Sequence, residues 1–271
     1  MSCAERVTGL PSANPLTLRK IEHSGWRPSD LASNEASGLF ALDSSGGVSK
    51  LEPAKPGSGA IEKLFQIGGS ESGYALAASA DSVFVAVASS LGCKVYRYSL
   101  ATKAVTSRLL AVKQRCVGIA TDGTAVYLTM PEQKEIRYWD TWDASGWHSW
   151  PLGELSAPGY LKFDRTGHRL IVADDVLGAA YAVSVPEGRA QLISRNLGSV
   201  QSIAVSRFHI LFASGKKVLF VARSDNHGEN LPVGWPPPPG GHLVGIAVDS
   251  SQELWMADYD QKVVEGPLPL L

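Results

Sequence analysis

One pattern constrains this chain more than any other: a short apolar segment that recurs about every 43 residues. The clearest copy is "GIAVD" from Gly245. Reading backwards, related segments begin at Ser202 ("SIAVS"), Tyr160 ("YLKFD"), Gly118 ("GIATD"), Ala75 ("ALAAS") and Asp30 ("DLASN"), at steps of 43, 42, 42, 43 and 45 residues. Each is followed by a second apolar run: 38–43, 82–88, 125–130, 168–174, 209–214 and 253–258. A polar turn and a third run come next ("GVSKLE", "KVYRYS", "EIRYWD", "AAYAVS", "KVLFVA", "KVVEG"). Several copies add a weaker fourth, such as 61–67, 104–110 and 189–194. No helical stripe at i, i+3, i+4, i+7 competes with this pattern. Four short strands per unit of this length predict a propeller blade. The expected fold is therefore all-β: residues 1–271 as a single six-bladed β-propeller domain of four-stranded antiparallel blades, starting near 30, 75, 118, 160, 202 and 245.

Side-chain size supports the register. First runs carry small residues (Ala77, Ala78, Ala120, Ala204, Ala247), which let six strands crowd around an axis. Second and third runs carry Phe84, Tyr127, Trp139, Phe212 and Trp255, expected to pack blade on blade. The last copy ends after its third run, and an orphan strand, "LTLRKIEHSG" at 16–25, precedes the first. It is expected to supply the outer strand of the last blade, closing the ring without an open edge.

Composition excludes some functions. Net charge is −1, so no dominant attraction to a nucleic-acid backbone is expected. The longest apolar run, "VFVAVA" at 83–88, is far too short for a membrane span, and "MSCAERVTGL" lacks a signal-peptide core. The compartment stays open: cytoplasmic, or exported with a leader removed. Cys3, Cys93 and Cys116 form no disulfide framework. Reduced thiols at Cys93 and Cys116 are the expectation, with pairing across neighbouring blades as the alternative.

"GIAVDSSQELWMADYDQKVV" resembles a blade of the NHL-repeat propellers and of the gluconolactonase, or regucalcin-like senescence-marker, family, and the repeated pattern extends over residues 30–265. The second resemblance implies a divalent cation such as calcium in the central channel, held by a Glu, Asn residues and an Asp at the starts of inner strands. The residues directly before the six starts are Ser29, Tyr74, Val117, Gly159, Gln201 and Val244, none a carboxylate. A hard cation needs several oxygen ligands, so no metal ligand, no cofactor and no catalytic residue is assigned. Asp30 and Glu71 lie close enough in sequence to restore a site if the register shifts.

Other motifs divide between architecture and binding. Turns after the second runs carry Asp43, Glu132, Asp174, Asp175, Asp258 and Asp260, where a carboxylate commonly caps its own backbone. The six histidines show no metal-ligand spacing. "YWDTWDASGWHSW", 138–150, holds four of the seven Trp. It is similar to blades of fucose-binding six-bladed lectins, which repeat Trp and Arg in most blades, whereas this chain does not. It is expected to be a hairpin packing its own aromatics, with sugar stacking by Trp142, Trp147 and Trp150 as the alternative. "GWPPPPGGH", 234–242, is expected to be a rigid connector into blade six.

The expected function is a non-catalytic binding module that presents one face to a protein or small ligand, with no nucleic acid and no membrane insertion. The candidate site lies where chain enters the inner strands: Arg27, Tyr74, Arg115, Tyr160, Asp174, Asp175, Asp258 and Tyr259. The alternatives are a metal-dependent hydrolase or lactonase of the regucalcin-like type, and a carbohydrate-binding propeller.

Overall fold

In the computed structural model of the chain, residues 19–22, 25–34, 38–52, 61–68, 71–110, 113–223, 233–235 and 241–270 are described. They form six four-stranded antiparallel sheets arranged as a ring, a six-bladed β-propeller. Inner strands are Pro28–Ser33, Ser72–Ala78, Ile119–Thr121, Pro158–Asp164, Ser202–Val205 and Leu243–Val248, each starting within three residues of the sequence repeat. Blade 6 is closed by the N-terminal segment. Arg19–Glu22 pairs antiparallel with Val263–Pro269, from Arg19 opposite Gly266 to Glu22 opposite Val263. Of the expected closing strand at 16–25, residues 16–18 and 23–24 lie outside the described residues. So do 236–240, the prolines of the connector; Val233–Trp235 before them is the outer strand of blade 5.

The core is six wedges of apolar side chains, one between each pair of neighbouring blades. Phe84, Tyr127, Trp139, Phe212 and Trp255 are each at most 4% exposed within them. Small residues line the axis because the inner strands nearly touch. A Cβ on Gly245 would stand 2.7 Å from the Leu31 nitrogen, and one on Gly118 2.7 Å from the Gly159 oxygen. Both glycines of the "GI" motif are therefore required by close backbone approach.

Four inner strands carry a bulge near their start, between Pro28 and Asp30, Gly73 and Ala75, Pro158 and Leu161, and Leu243 and Gly245. Each bulge inserts one residue and so changes which side chain faces the axis beyond it.

The expectation of reduced thiols is corrected. Cys93, in the third strand of blade 2 (Gly92–Ser99), is disulfide-bonded to Cys116, which leads into blade 3. Their Cα atoms are 5.5 Å apart and neither residue is exposed. The 23-residue separation hid the pairing, because only the blade-to-blade turn of the ring brings these positions together.

Candidate functional site

Where the inner strands converge, a polar plug is built around Asp30, beside a narrow space of about 10 Å³. Its Oδ1 accepts the Leu31 N–H at 2.8 Å and, at 3.4 Å, the Ser202 hydroxyl from blade 5. Its Oδ2 accepts the Leu76 N–H of blade 2 at 2.8 Å. Ser202 Oγ in turn accepts the Ile246 N–H of blade 6 at 3.1 Å. One carboxylate thus bridges the inner strands of blades 1, 2 and 5, and Ser202 extends the chain to blade 6. Burial outweighs these donors and the nearby Lys162 charge, and raises the Asp30 carboxyl to about 7. Lys162, on the inner strand of blade 4, has its amine lowered by burial, with the Asp30 charge acting the other way. Tyr160, beside it, is raised by burial and by Asp30 and Asp175.

Below the plug, the channel widens into a recess of about 460 Å³ on the face formed by the turns between first and second strands. Residues from blades 1, 4, 5 and 6 supply most of its wall, and Lys162 lines both this recess and the narrow space beside Asp30. Asp164, fully buried in the wall, accepts Arg169 Nε and Gly167 N–H at 3.1 Å each, and Arg223 from blade 5. Arg223 also donates to the Ser206 carbonyl at 3.0 Å. Asp249 accepts Trp255 Nε1 at 2.9 Å and caps its own turn at Ser251 and Glu253. The recess is lined by the last residues of the inner strands and the turns that follow them, whereas the residues singled out from the sequence precede those strands.

The residues expected to form a site lie on the opposite face or inside the ring. Arg27 is exposed, with its guanidinium 5.7 Å from the centre of the Tyr259 ring. Arg115 is exposed, Tyr160 is half-buried below them, and the Tyr74 side chain lies outside the described residues. Asp174 is fully buried and spends both oxygens on backbone N–H groups, of Ser156 and Ala157 through Oδ2 and of Val176 and Leu177 through Oδ1. Asp258, also buried, caps Gln261 at 2.9 Å, and Asp43 caps Ser45 and Gly47. These three are turn caps. Asp175 remains outside the caps; the surrounding protein and Asp174 push its carboxyl up to about 6 against the Val200 N–H. The structure therefore brings Arg27 and Tyr259 together and separates out the buried aspartates.

The three tryptophans do not form a stacking surface. Trp142 and Trp150 are 7% and 9% exposed: Trp142 packs on Phe84 and Trp139, and Trp150 on Tyr127 and Tyr138. Their faces are core surface, and Trp142 packs across to blade 2 through Phe84 rather than only within its own hairpin. Trp147 is exposed, and the Arg137 guanidinium lies 4.2 Å from its ring centre.

Nor do the channel residues suit a hard cation. Asp30 is surrounded by N–H and O–H donors and faces Lys162, whereas a cation site presents oxygen lone pairs. Glu71 accepts Lys94 at 3.2 Å and also the Tyr96 hydroxyl. Among the described residues no three His, Cys, Asp or Glu side chains gather as metal ligands. No helix among them is long and apolar enough to cross a membrane.

No protein-family model matches the chain, and no curated protein matches it in sequence. Solved β-propeller structures do resemble it in fold. A chain of a nidogen/laminin complex superimposes with a TM-score of 0.69 at 15% identity, covering 86% of this chain and 89% of that one. A virginiamycin B lyase from Staphylococcus aureus, solved with quinupristin, gives 0.66 at 13% identity over 93% and 88%. A chain of the mitotic checkpoint complex gives 0.68 at 10% identity over the whole of both chains. At these identities the likeness establishes the propeller fold.

Proposed function

We propose that this propeller is a non-catalytic binding module that takes a small ligand in the recess at one mouth of its channel. The observation that carries the reading is the recess itself. Its 460 Å³ lies in the size range of small-ligand sites, and turns from separate blades converge on it. The plug at Asp30 gives it a floor, and inter-blade bonds such as Arg223 to Asp164 and the Arg207 N–H to Gln252 hold its wall. A similarly folded propeller, a catalytically inactive virginiamycin B lyase solved with quinupristin, supports a small molecule as a ligand type for this fold. The Cys93–Cys116 bond fits an oxidising compartment.

Ser250, exposed at the rim, gives the test. In a fragment screen by ligand-observed NMR, hits should vanish in Ser250→Trp, whose indole fills the mouth, and persist in Lys113→Ala, on the opposite face. An absence of hits with the wild-type chain, or hits unchanged by Ser250→Trp, refutes the reading.

The opposite face supports a second reading, as a protein-contact surface. Val176 and Leu177, on the turn after Asp175, are 71% and 47% exposed, and Arg27 with Tyr259 and Arg115 share that face. Exposed apolar side chains rimmed by charge suit a protein partner. Several structural neighbours come from protein complexes. Replacing Val176 and Leu177 by Asp should abolish binding of any partner that uses this face; unchanged binding of such a partner refutes it.

A further inference from the structure

The polar side chains around the recess are largely committed to the protein itself. Asn34 donates to the Ser79 carbonyl at 2.7 Å and accepts the Gly38 N–H at 2.7 Å. Ser33 donates to the Val248 carbonyl, Thr121 to the Ala125 carbonyl at 2.7 Å, and Ser206 to the His209 carbonyl at 3.2 Å. Both wall carboxylates are consumed as well, Asp164 by Arg169, Arg223 and Gly167, and Asp249 by Trp255 and its own turn. Arg223 is held by Asp164 and by main-chain carbonyls.

Lys162 differs. It lines both the recess and the narrow space under the plug. Among the described residues its ammonium makes no hydrogen bond and no ion pair. The charges facing it are Asp30 above, from blade 1, and Arg165 beside it on the turn of its own blade. No hydrogen bond or ion pair joins Lys162 to Asp30, whose oxygens accept from Leu31, Leu76 and Ser202. Lys162 is half-buried, and a partly desolvated cation without a paired anion is left open to an anionic guest. Burial lowers its pKa. Four cationic side chains (Lys162, Arg165, Arg207, Arg223) and only the two consumed aspartates line the recess. Its field therefore favours a negative guest.

We infer that the recess is a site for small oxyanions, the carboxylate or phosphate group of a small molecule, with Lys162 as the charge at its floor and Arg207 at its rim. The inference rests on the recess being the ligand site and names the chemistry of what it takes. Charge-assisted hydrogen bonds from the ammonium would hold the anion. Arg207 is exposed and supplies a second cation above it.

Isothermal titration with inorganic phosphate and with succinate, at constant ionic strength set by chloride, tests the inference on the whole chain. Saturable binding of at least one of them, at one site per chain, is expected. Lys162→Met should weaken it at least about tenfold and Lys162→Arg should retain part of it. Arg207→Ala should weaken it severalfold, and Lys113→Ala should leave it unchanged. Tighter phosphate than succinate assigns the phosphate group, and the reverse order the carboxylate. If Lys162→Met does not fold, Arg207→Ala decides the matter. Absence of saturable binding to the folded wild-type chain, or affinities unchanged in Lys162→Met and Arg207→Ala, overturns the inference. Neutral fragments displaced by Ser250→Trp while both anions fail would leave the recess as a ligand site and remove only its anion preference.

Discussion

The plug at Asp30 makes a quantitative prediction about pH. The Asp30 carboxyl rises from its ordinary 3.8 to about 7 in the folded chain. A carboxyl raised by folding supports the native state fully while it is protonated in both states, below about pH 4, and that contribution is lost as pH rises through 7. The interval is about 3 pH units at about 1.4 kcal/mol each, or about 4 kcal/mol. Asp30→Asn removes the titration and keeps the shape. Its amide presents a donor where the carboxylate accepted N–H groups from Leu31 and Leu76, which costs about 1 kcal/mol at every pH. The variant should be about 1 kcal/mol less stable than the wild type at pH 4. At pH 8 it should be about 3 kcal/mol more stable, a rise in melting temperature of about 6–12 °C for a chain of this size. Lys162 titrates in the opposite sense: its amine is lowered, so its contribution is present above 10.5 and lost as pH falls through the folded value. It is present in both chains, and the comparison reads the Asp30 titration together with its coupling to Lys162. Urea unfolding of both proteins at pH 4, 6 and 8 gives the measurement. A stability difference that stays constant across that range refutes the reasoning.

Three further outcomes follow from the packing. Gly245→Ala places a Cβ 2.7 Å from the Leu31 nitrogen, and overpacking of rigid backbone should cost about 1–3 kcal/mol, read as a fall in the urea midpoint. Reducing Cys93–Cys116 releases a loop of 23-residue separation and should cost about 3 kcal/mol, or about 6–12 °C, in a melt with and without reductant; an unchanged melting temperature would contradict the bond. Trp150→Ala should destabilise by about 3–5 kcal/mol while Trp147→Ala stays within about 0.5 kcal/mol, since one ring is packed against Tyr127 and Tyr138 and the other is exposed.

Blade number, blade boundaries, the interblade aromatics and the closure of blade 6 by the N-terminal strand were legible in the residues alone. Each is a local pattern repeated at a fixed interval, and burial acts on each copy in the same way. The small residues of the first runs, such as Ala120 and Ala247, already announced close approach at an axis. Candidate carboxylates were legible only as residue types. Asp174 and Asp258 sit in turns where either a ligand or the backbone could use them, and the folded turns spend them on the backbone.

What meets across the ring was decided by tertiary structure. Asp30 lies one residue beyond the position expected to face the channel, and the bulge between Pro28 and Asp30 sets that register. Cys93 and Cys116, Asp164 and Arg223, and Lys162 and Asp30 are paired or opposed by the curvature of the ring, which no spacing along the chain encodes. Periodicity specifies each blade because a strand's faces alternate by local geometry. The site depends instead on where six copies converge, and a single inserted residue in an inner strand changes which side chain arrives there.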